Sequence, residues 1–216
     1  MTEPDRCRTG LRADAERNRV RILETACRLF AESGLDVPLE DIARQAGVGI
    51  ATLYRRYPTR GDLAAAVFAE QLWRYGEVVD RADVEADPWQ AMVTLVHGLS
   101  DLQGHNAGLR EFLTMSFSAA PEVQAAFVHV QERLEEMIAR IVASGVVRPD
   151  FDRADLMLFM IGNGALVARL DEVADQARRR LAALFLEGIR NRPDATVLPV
   201  GPTATELRRA VDPFAR

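Results

Sequence analysis

The stretch IARQAGVGIATLYRRY, residues 42–57, decides the fold of this chain. Ile42 and Ala46 lie four residues apart, which places both on one face of a helix. Gly47 follows, a residue that readily adopts the left-handed backbone conformation that commonly ends a helix. Leu53 then provides an apolar contact by which a second helix packs on the first. This spacing predicts two short helices joined by a tight turn, the helix-turn-helix arrangement.

The second of these helices carries a polar and aromatic face. Ala51, Tyr54 and Arg55 share that face at helical spacing, with Thr52 and Arg56 beside them. An exposed helix with these side chains suits docking in the major groove of DNA, with phosphate contacts at its edge. The competing interpretation is a pair of amphipathic helices in an ordinary core.

Two longer helices are predicted to flank this pair. Apolar side chains recur at intervals of three and four over residues 15–32, which indicates an amphipathic helix. Pro38 suits the first position of the first short helix, because its missing N–H would be unpaired there. Thr59 is a good cap for the helix that follows, and Asp62 three residues later resembles a capping box. This helix is predicted to run to about residue 81.

Three arginines, Arg17, Arg19 and Arg21, cluster near the start of the first long helix. They either form a solvated helix face or contact DNA phosphates, and the sequence leaves both interpretations open.

The helix-turn-helix residues also carry a family resemblance. The pattern resembles the N-terminal domain of TetR-family transcriptional repressors over about residues 16–68, through Ile42, Ala43, Ala46, Gly47, Val48, Thr52, Leu53, Tyr54, Tyr57, Pro58, Arg60 and Leu63. The chain departs from the family pattern at Gly49, where Ser or Thr is common, and at Pro38, where a polar residue often stands. Tyr57 and Arg60 replace the usual Phe and Lys.

Composition is that of an ordinary globular protein, with 48% hydrophobic and 27% charged residues in 216. No apolar run approaches the ~18 residues of a membrane span, and no secretory signal opens the chain. Cys7 and Cys27 form neither a disulfide framework nor a metal-site spacing, so we expect a reducing cytoplasm. The net charge is −5 and every basic residue is Arg. The basic excess lies within residues 1–61, which include the helix-turn-helix. A positive charge excess there would attract the phosphates of DNA.

The rest of the chain predicts further helices and no strands. We expect helices over residues 89–102, 109–119, 121–143, 153–170 and 173–190. Gly104 is expected to end the first of these, Ser144-Gly145 to close the third, and Asp152 to cap the fourth. The predicted fold is all-α with about nine helices. Its predicted parts are a mobile tail over 1–14, a DNA-binding domain over 15–60, an effector-binding and dimerisation domain over 61–190, and an irregular tail over 191–216.

No catalytic or metal-binding constellation is present in the sequence. His97, His105 and His129 do not form the i, i+4 pair of a zinc helix. His97 is better interpreted as a satisfied core histidine or a polar group in a pocket. We therefore expect no enzyme activity, no metal and no cofactor. Gly162-Asn163-Gly164 lies in an apolar helical run, so small residues there favour the close approach of another helix rather than a phosphate loop.

The family resemblance implies a homodimer formed by the last two helices packing as a four-helix bundle. The interface residues expected there are Leu156, Gly162, Gly164, Leu181, Leu184 and Phe185. The resemblance also implies an effector pocket between the long helix after Thr59 and the helix that opens at Pro121. Its candidate lining residues are Trp73, Met92, His97, Phe112, Thr114, Met115, Phe127 and Phe159, with Asn106 and Ser116 as further polar contacts. For any single apolar residue in this set, an ordinary core is the alternative.

The sequence thus predicts a ligand-responsive, sequence-specific DNA-binding regulator, a repressor released from double-stranded operator DNA by a small apolar or aromatic effector. The alternative is a helical ligand carrier or adaptor dimer that does not bind DNA. The predicted partners are operator DNA, a second copy of the chain and the effector, with no membrane. Base contacts are expected from Ile50, Ala51 and Tyr54. Phosphate contacts are expected from Thr52, Arg55, Arg56 and Arg60, and secondary contacts from Glu40 and Arg44.

Overall fold

The computed structural model describes residues 3–33, 35–105 and 121–211. Within these ranges the chain forms nine α-helices, a short 3-10 turn at Asp171–Val173 and no strand. The all-α prediction is confirmed. The helices are α1 (Glu3–Ser33), α2 (Leu39–Gln45), α3 (Ile50–Arg56), α4 (Arg60–Asp83), α5 (Pro88–His105), α6 (Pro121–Ala143), α7 (Arg153–Arg169), α8 (Ala174–Ile189) and α9 (Ala204–Val211). None of them is long and apolar enough to cross a membrane.

The chain divides into two compact units, Met1–Glu70 and Gln71–Arg216. The boundary falls inside α4, ten residues after the end that the sequence predicted for the DNA-binding domain. A helix that continues without interruption gives no local signal of a domain boundary. The sequence analysis therefore set the boundary at the start of α4, where the cap gives a clear signal.

In the N-terminal unit, α1 begins at Glu3, twelve residues before the start at residue 15 that the apolar pattern predicted. That prediction relied on an apolar stripe, and a helix can form without one. Pro38 is also placed differently. It precedes α2 with φ −59° and ψ 136°, an extended conformation, instead of occupying the first helical position.

The buried residues of this unit come from α1, from α2 and α3, and from the start of α4. They include Ile22, Leu23, Ala26, Phe30, Leu39, Ile42, Ala43, Leu53, Tyr57 and Leu63. The predicted capping box opens α4: the Asp62 backbone N–H donates to the Thr59 hydroxyl at 3.1 Å, and the Thr59 N–H donates to the Asp62 carboxylate at 3.0 Å.

In the C-terminal unit, α5, α7 and α8 pack on one another and α6 packs on α5. The core between them includes Met92, Leu95, Val96, Leu99, Leu134, Met137, Phe159 and Leu186. Gly145, at φ +77°, follows the end of α6. Asp152 caps α7 as predicted, accepting hydrogen bonds from the backbone N–H groups of Ala154 and Asp155.

Two predictions for this unit are wrong, one about a helix end and one about the C-terminal tail. Gly104 lies inside α5, and a Cβ there would come within 2.7 Å of the Arg178 Nε atom. The absence of a side chain on Gly104 therefore leaves room for Arg178. The C-terminal tail is not irregular throughout, because α9 forms within it. Thr203 and Glu206 make a capping box at its start, with the Glu206 N–H donating to the Thr203 hydroxyl at 3.2 Å.

The helix predicted over residues 109–119 lies outside the described residues.

Candidate functional site

The turn between α2 and α3 has the geometry that the sequence predicted. Gly47 has φ +65°, in the left-handed region. Its N–H donates to the Arg44 carbonyl at 3.2 Å, and the Val48 N–H donates to the Ala43 carbonyl at 3.0 Å. This pair of bonds is the Schellman motif, which satisfies the free carbonyls at the end of α2 and sets the direction in which α3 begins.

Helix α3 is held by one buried side chain, Leu53, and exposes most of its remaining surface. Ile50, Ala51, Arg55 and Arg56 are exposed, and Thr52 is half-buried. Tyr54 is 43% exposed. Helix α3 thus buries one residue in seven. Its exposed surface carries an apolar, an aromatic and two cationic side chains.

Tyr54 is positioned by α2. Its hydroxyl donates to the Glu40 carboxylate at 3.2 Å. The negative charge of Glu40 raises the pKa of the Tyr54 phenol above its usual value.

The arginines on and next to the helix-turn-helix make different contacts within the chain. Arg44 pairs with Asp41 at 2.5 Å, and Arg60 pairs with Asp36 at 3.0 Å. Arg56 donates to the Ala15 carbonyl of α1 at 3.2 Å. These exposed pairs contribute little to stability, since solvent screens them. The same guanidinium groups remain accessible to an anionic partner.

The three arginines near the predicted start of α1 separate into two kinds. Arg19 bonds to Glu16 at 2.7 Å and to Glu70 at 2.9 Å, which explains its raised pKa and gives it a partner within its own unit. Arg17 pairs with Asp14 and Arg21 donates to Asn18, but both side chains are exposed, and Arg21 lies close to the turn at Gly47. The prediction of a phosphate contact thus remains open for Arg17 and Arg21.

The predicted effector pocket is only partly described. Trp73 is 59% exposed, and its place in the pocket stays a prediction. Met92 and Phe159 belong to the packed core, where Phe159 stacks on Phe185 with 4.7 Å between ring centroids. Phe127 is half-buried. Outside the described residues lie Asn106, Phe112, Thr114, Met115 and Ser116.

His97 lines a cleft between α4 and α5 of about 470 Å³. The residues around this cleft are mostly polar, in contrast to the apolar pocket that the sequence predicted. They are Arg74, Glu77, Val78, Arg81, Thr94, His97, Gly98, Asp101 and Leu102.

A buried polar cluster was missed by the sequence analysis. The Asn163 amide donates to Gln103 at 2.7 Å, and the Ser100 hydroxyl donates to Asn163 at 3.1 Å. Gln103 in turn donates to the Met160 carbonyl at 3.1 Å. Ser100, Gln103 and Asn163 are all buried. The sequence signal for this cluster was Asn163, a polar residue between Gly162 and Gly164 in an apolar helix.

The predicted interface residues are divided between core and surface. Leu156 is 2% exposed and packs in the core of its own unit, so its assignment to the interface is wrong. Gly164 is also buried, and Phe185 is half-buried on Phe159. Leu184 is 56% exposed and Gly162 is exposed. Leu181 lies between the two helices, 4.0 Å from where a Cβ of Gly162 would stand.

Comparison with known proteins agrees with this architecture. The family model for bacterial regulatory proteins of the tetR family matches residues 22–67, and that for the C-terminal domain of SbtR-like transcriptional regulators matches residues 87–191. The chain is 30% identical over 143 residues to the HTH-type transcriptional repressor KstR of Mycolicibacterium smegmatis. That match covers 63% of this chain and 68% of KstR.

Solved structures extend the comparison to the fold. The TetR transcriptional regulator SCO0520 from Streptomyces coelicolor is 28% identical, with a TM-score of 0.51 over 80% of this chain and 98% of that one. A TetR-family regulator from Marinobacter aquaeolei VT8 is 22% identical, with a TM-score of 0.62 over 84% of this chain and 100% of that one. The chain belongs to the TetR family of bacterial transcriptional regulators.

Proposed function

We propose that the protein is a ligand-responsive repressor that binds operator DNA as a homodimer and acts by binding, without a catalytic step, in the cytoplasm. The observation that carries this proposal is the exposed surface of α3, which the Schellman turn and Leu53 hold in a helix-turn-helix. KstR, which is similar over much of its length, is a transcriptional repressor.

The contacts to DNA divide by chemistry. Ile50, Ala51 and Tyr54 would contact base edges, where an apolar side chain recognises a thymine methyl and a phenol donates a hydrogen bond. The phosphate contacts are Thr52, Arg55, Arg56 and Arg60. Glu40 and Arg44 of α2 are secondary contacts. Glu40 orients Tyr54 through the 3.2 Å hydrogen bond between their side chains.

The homodimer rests on the exposed apolar surface of the α7–α8 hairpin. Leu158, Gly162 and Ala165 follow one another at helical spacing on α7, and each is exposed. Leu184 and Gly188 are exposed on α8. An apolar strip with small residues at its centre is typical of a helical interface, and a two-fold dimer covers it on both copies at once. A dimer also provides the two recognition helices that read half-sites ~34–36 Å apart.

Effector binding lowers operator affinity by favouring a conformer whose two DNA-binding units do not match the operator. We propose a small apolar or aromatic effector bound in the C-terminal unit. Helix α4 runs without interruption from Arg60 to Asp83, so it links the effector-binding unit covalently to the helix-turn-helix.

The DNA-binding proposal is tested by fluorescence anisotropy on DNA from upstream of the protein's own gene and on a scrambled duplex. Wild type should prefer the upstream sequence. Tyr54→Ala should reduce that preference by ~1–3 kcal/mol for each subunit of the dimer, because each subunit loses one specific contact. Val128→Ala, which truncates an exposed side chain on α6, is the control. Equal binding of wild type to both duplexes would refute sequence-specific recognition and favour the carrier or adaptor alternative.

The dimer is tested by sedimentation equilibrium with Leu184→Glu. This variant should dissociate, because a carboxylate would be buried without a partner in the interface. Leu198→Glu is the control, since Leu198 has similar exposure (48% against 56% for Leu184) but lies in the C-terminal segment before α9. If Leu184→Glu stays dimeric at the concentrations at which wild type does, the hairpin is not the interface.

A further inference from the structure

The exposed face of α8 carries opposite charges on the two sides of an apolar residue. Arg180, Leu184 and Glu187 are all exposed, and they follow one another at intervals of four and three. The half-buried Ala177 and the exposed Val173 continue the same spacing toward the start of the helix. Alternating intervals of three and four keep side chains in one line along a helix, as in the seam of a coiled coil. This face therefore has the spacing of a helix–helix contact.

The two charged residues of this face differ in their partners within the chain. The Arg180 side chain forms no ion pair or hydrogen bond with any residue that the structure describes. Glu187 pairs with Arg192, and its carboxylate lies 3.9 Å from the Arg190 Nε atom. All three of these side chains are exposed, so solvent screens their contacts. The face thus presents an unpaired guanidinium and an accessible carboxylate.

This arrangement of charges is complementary to itself. When two copies of a helix pack antiparallel about a two-fold axis, a residue before the axis faces one at a similar distance after it on the other copy. Arg180 lies four positions before Leu184, and Glu187 lies three positions after it. With the axis beside Leu184, Arg180 therefore faces the partner's Glu187. The two-fold axis generates the same pair a second time.

We propose that Arg180 and the partner's Glu187 form two symmetry-related ion pairs across the homodimer, and that these pairs determine its register and its preference for an identical chain. This inference rests on the homodimer of the proposed function, to which it adds the register and the basis of partner choice. Leu184, with the exposed Gly162 and Ala165 of α7, supplies the apolar centre. Charge pairs beside an apolar contact select the partner, since a mismatched chain places like charges together.

The same charges disfavour other arrangements of two α8 helices. A parallel pair would place Arg180 beside the partner's Arg180, and Glu187 beside the partner's Glu187. A slip of one turn in the antiparallel pair would move each cation about 5.4 Å along the helix from its carboxylate. The first arrangement adds like-charge contacts, and the second loses the ion pairs. One antiparallel register satisfies both charges.

The test measures the dimer dissociation constant by sedimentation equilibrium for wild type, Arg180→Glu and Glu187→Arg. Each substitution places like charges together at both pairs, so each variant alone should dimerise about tenfold or more weakly than wild type. The double variant, Arg180→Glu with Glu187→Arg, exchanges the charges and should recover most of the affinity. Arg179→Glu is the matched control and should stay close to wild type. It makes the same charge change on an adjacent side chain, which pairs with Asp175 of its own chain.

A mixture of the two single variants gives the most specific result. In a heterodimer of Arg180→Glu with Glu187→Arg, both pairs again join opposite charges, whereas each homodimer places like charges together. Native mass spectrometry of an equimolar mixture, with a tag on one variant, should therefore show more heterodimer than random association gives. A variant that had only lost its fold would not be rescued in this way.

Three results would overturn the proposal: both single variants dimerise as tightly as wild type, Arg179→Glu weakens the dimer as much as Arg180→Glu, or the mixture shows no excess of heterodimer. If one of them occurs while wild type is dimeric and Leu184→Glu dissociates, the hairpin remains the interface and only the ion pairs are refuted. A monomeric wild type would refute the homodimer of the proposed function and the ion pairs with it.

Discussion

Helices α3 and α5 show two opposite ways in which this chain uses a helix. Helix α3 buries Leu53 alone, has no side-chain cap and presents a cationic and aromatic surface. Helix α5 buries Met92, Leu95 and Leu99 and adds the buried polar groups Ser100 and Gln103. The position of α3 therefore depends on a short turn, whereas that of α5 depends on contacts with several helices. Substitutions on α3 should change DNA binding more than stability, and those on α5 should do the reverse.

The largest effect is expected in the core of the C-terminal unit. Leu95→Ala should lower the free energy of unfolding by ~2–5 kcal/mol, because a fully buried side chain is replaced by a cavity. Ile50→Ala, on the exposed face of α3, should cost no more than ~0.5 kcal/mol. Urea denaturation of both variants checks the difference. Equal losses would contradict the contrast between the two helices.

The buried polar cluster should give the next largest effect. Asn163→Leu should cost ~1–3 kcal/mol in urea denaturation, because the Ser100 hydroxyl and the Gln103 amide lose their partner. Adding Ser100→Ala and Gln103→Leu should recover much of this loss, since removing all the partners leaves no group unpaired. If the triple variant is less stable than Asn163→Leu, the loss does not come from unpaired polar groups.

Two glycines with positive φ allow a matched comparison between the units. Gly47→Ala and Gly145→Ala should each cost ~1–2 kcal/mol, because a Cβ disfavours the left-handed conformation. Only Gly47→Ala should also weaken operator binding, since its turn directs α3. Urea denaturation and anisotropy on the same preparations separate the two effects. Equal losses of operator affinity would show that the turn has no special role.

The smallest effect concerns the ion pair between Arg148 and Asp150, in the loop between α6 and α7. The Arg148 guanidinium lowers the pKa of the Asp150 carboxyl and also donates to the Thr196 carbonyl at 3.0 Å. Because the pKa of Asp150 is lower in the folded state, its ion pair with Arg148 stabilises the fold above the ordinary carboxyl pKa of about 3.9. This stabilisation is lost as the pH falls toward the pKa that Asp150 has in the folded state.

Asp150→Asn should therefore flatten the dependence of unfolding free energy on pH below about pH 4. Asp194→Asn, which changes an exposed carboxylate in the segment between α8 and α9, is the control. Urea denaturation at a series of acidic pH values gives the comparison. A wild-type slope in Asp150→Asn would show that the ion pair does not contribute.

The sequence predicted the N-terminal unit better than the C-terminal unit for a physical reason. The turn at Gly47 and the cap at Thr59 are local, since each depends on residues within four positions. The failure at Gly104 is different in kind, because its role depends on Arg178, which lies 74 positions later in the chain. Leu156 was assigned to the dimer surface because an amphipathic pattern shows that a side chain is buried but does not show which helix covers it. The helix α9 was missed although its local signal, Thr203 and Glu206, was present.

The central claim, that α3 contacts DNA, is tested most directly by operator affinity as a function of salt concentration for wild type, Arg55→Ala and Arg140→Ala. Arg55 is exposed on α3, and Arg140 is exposed on α6. Arg55→Ala should reduce the magnitude of the slope of log K against log salt by ~2, because each subunit of the dimer loses one phosphate contact and each contact contributes ~0.9. Arg140→Ala should keep the wild-type slope. A wild-type slope and affinity in folded Arg55→Ala would contradict the assignment of α3 as the recognition helix.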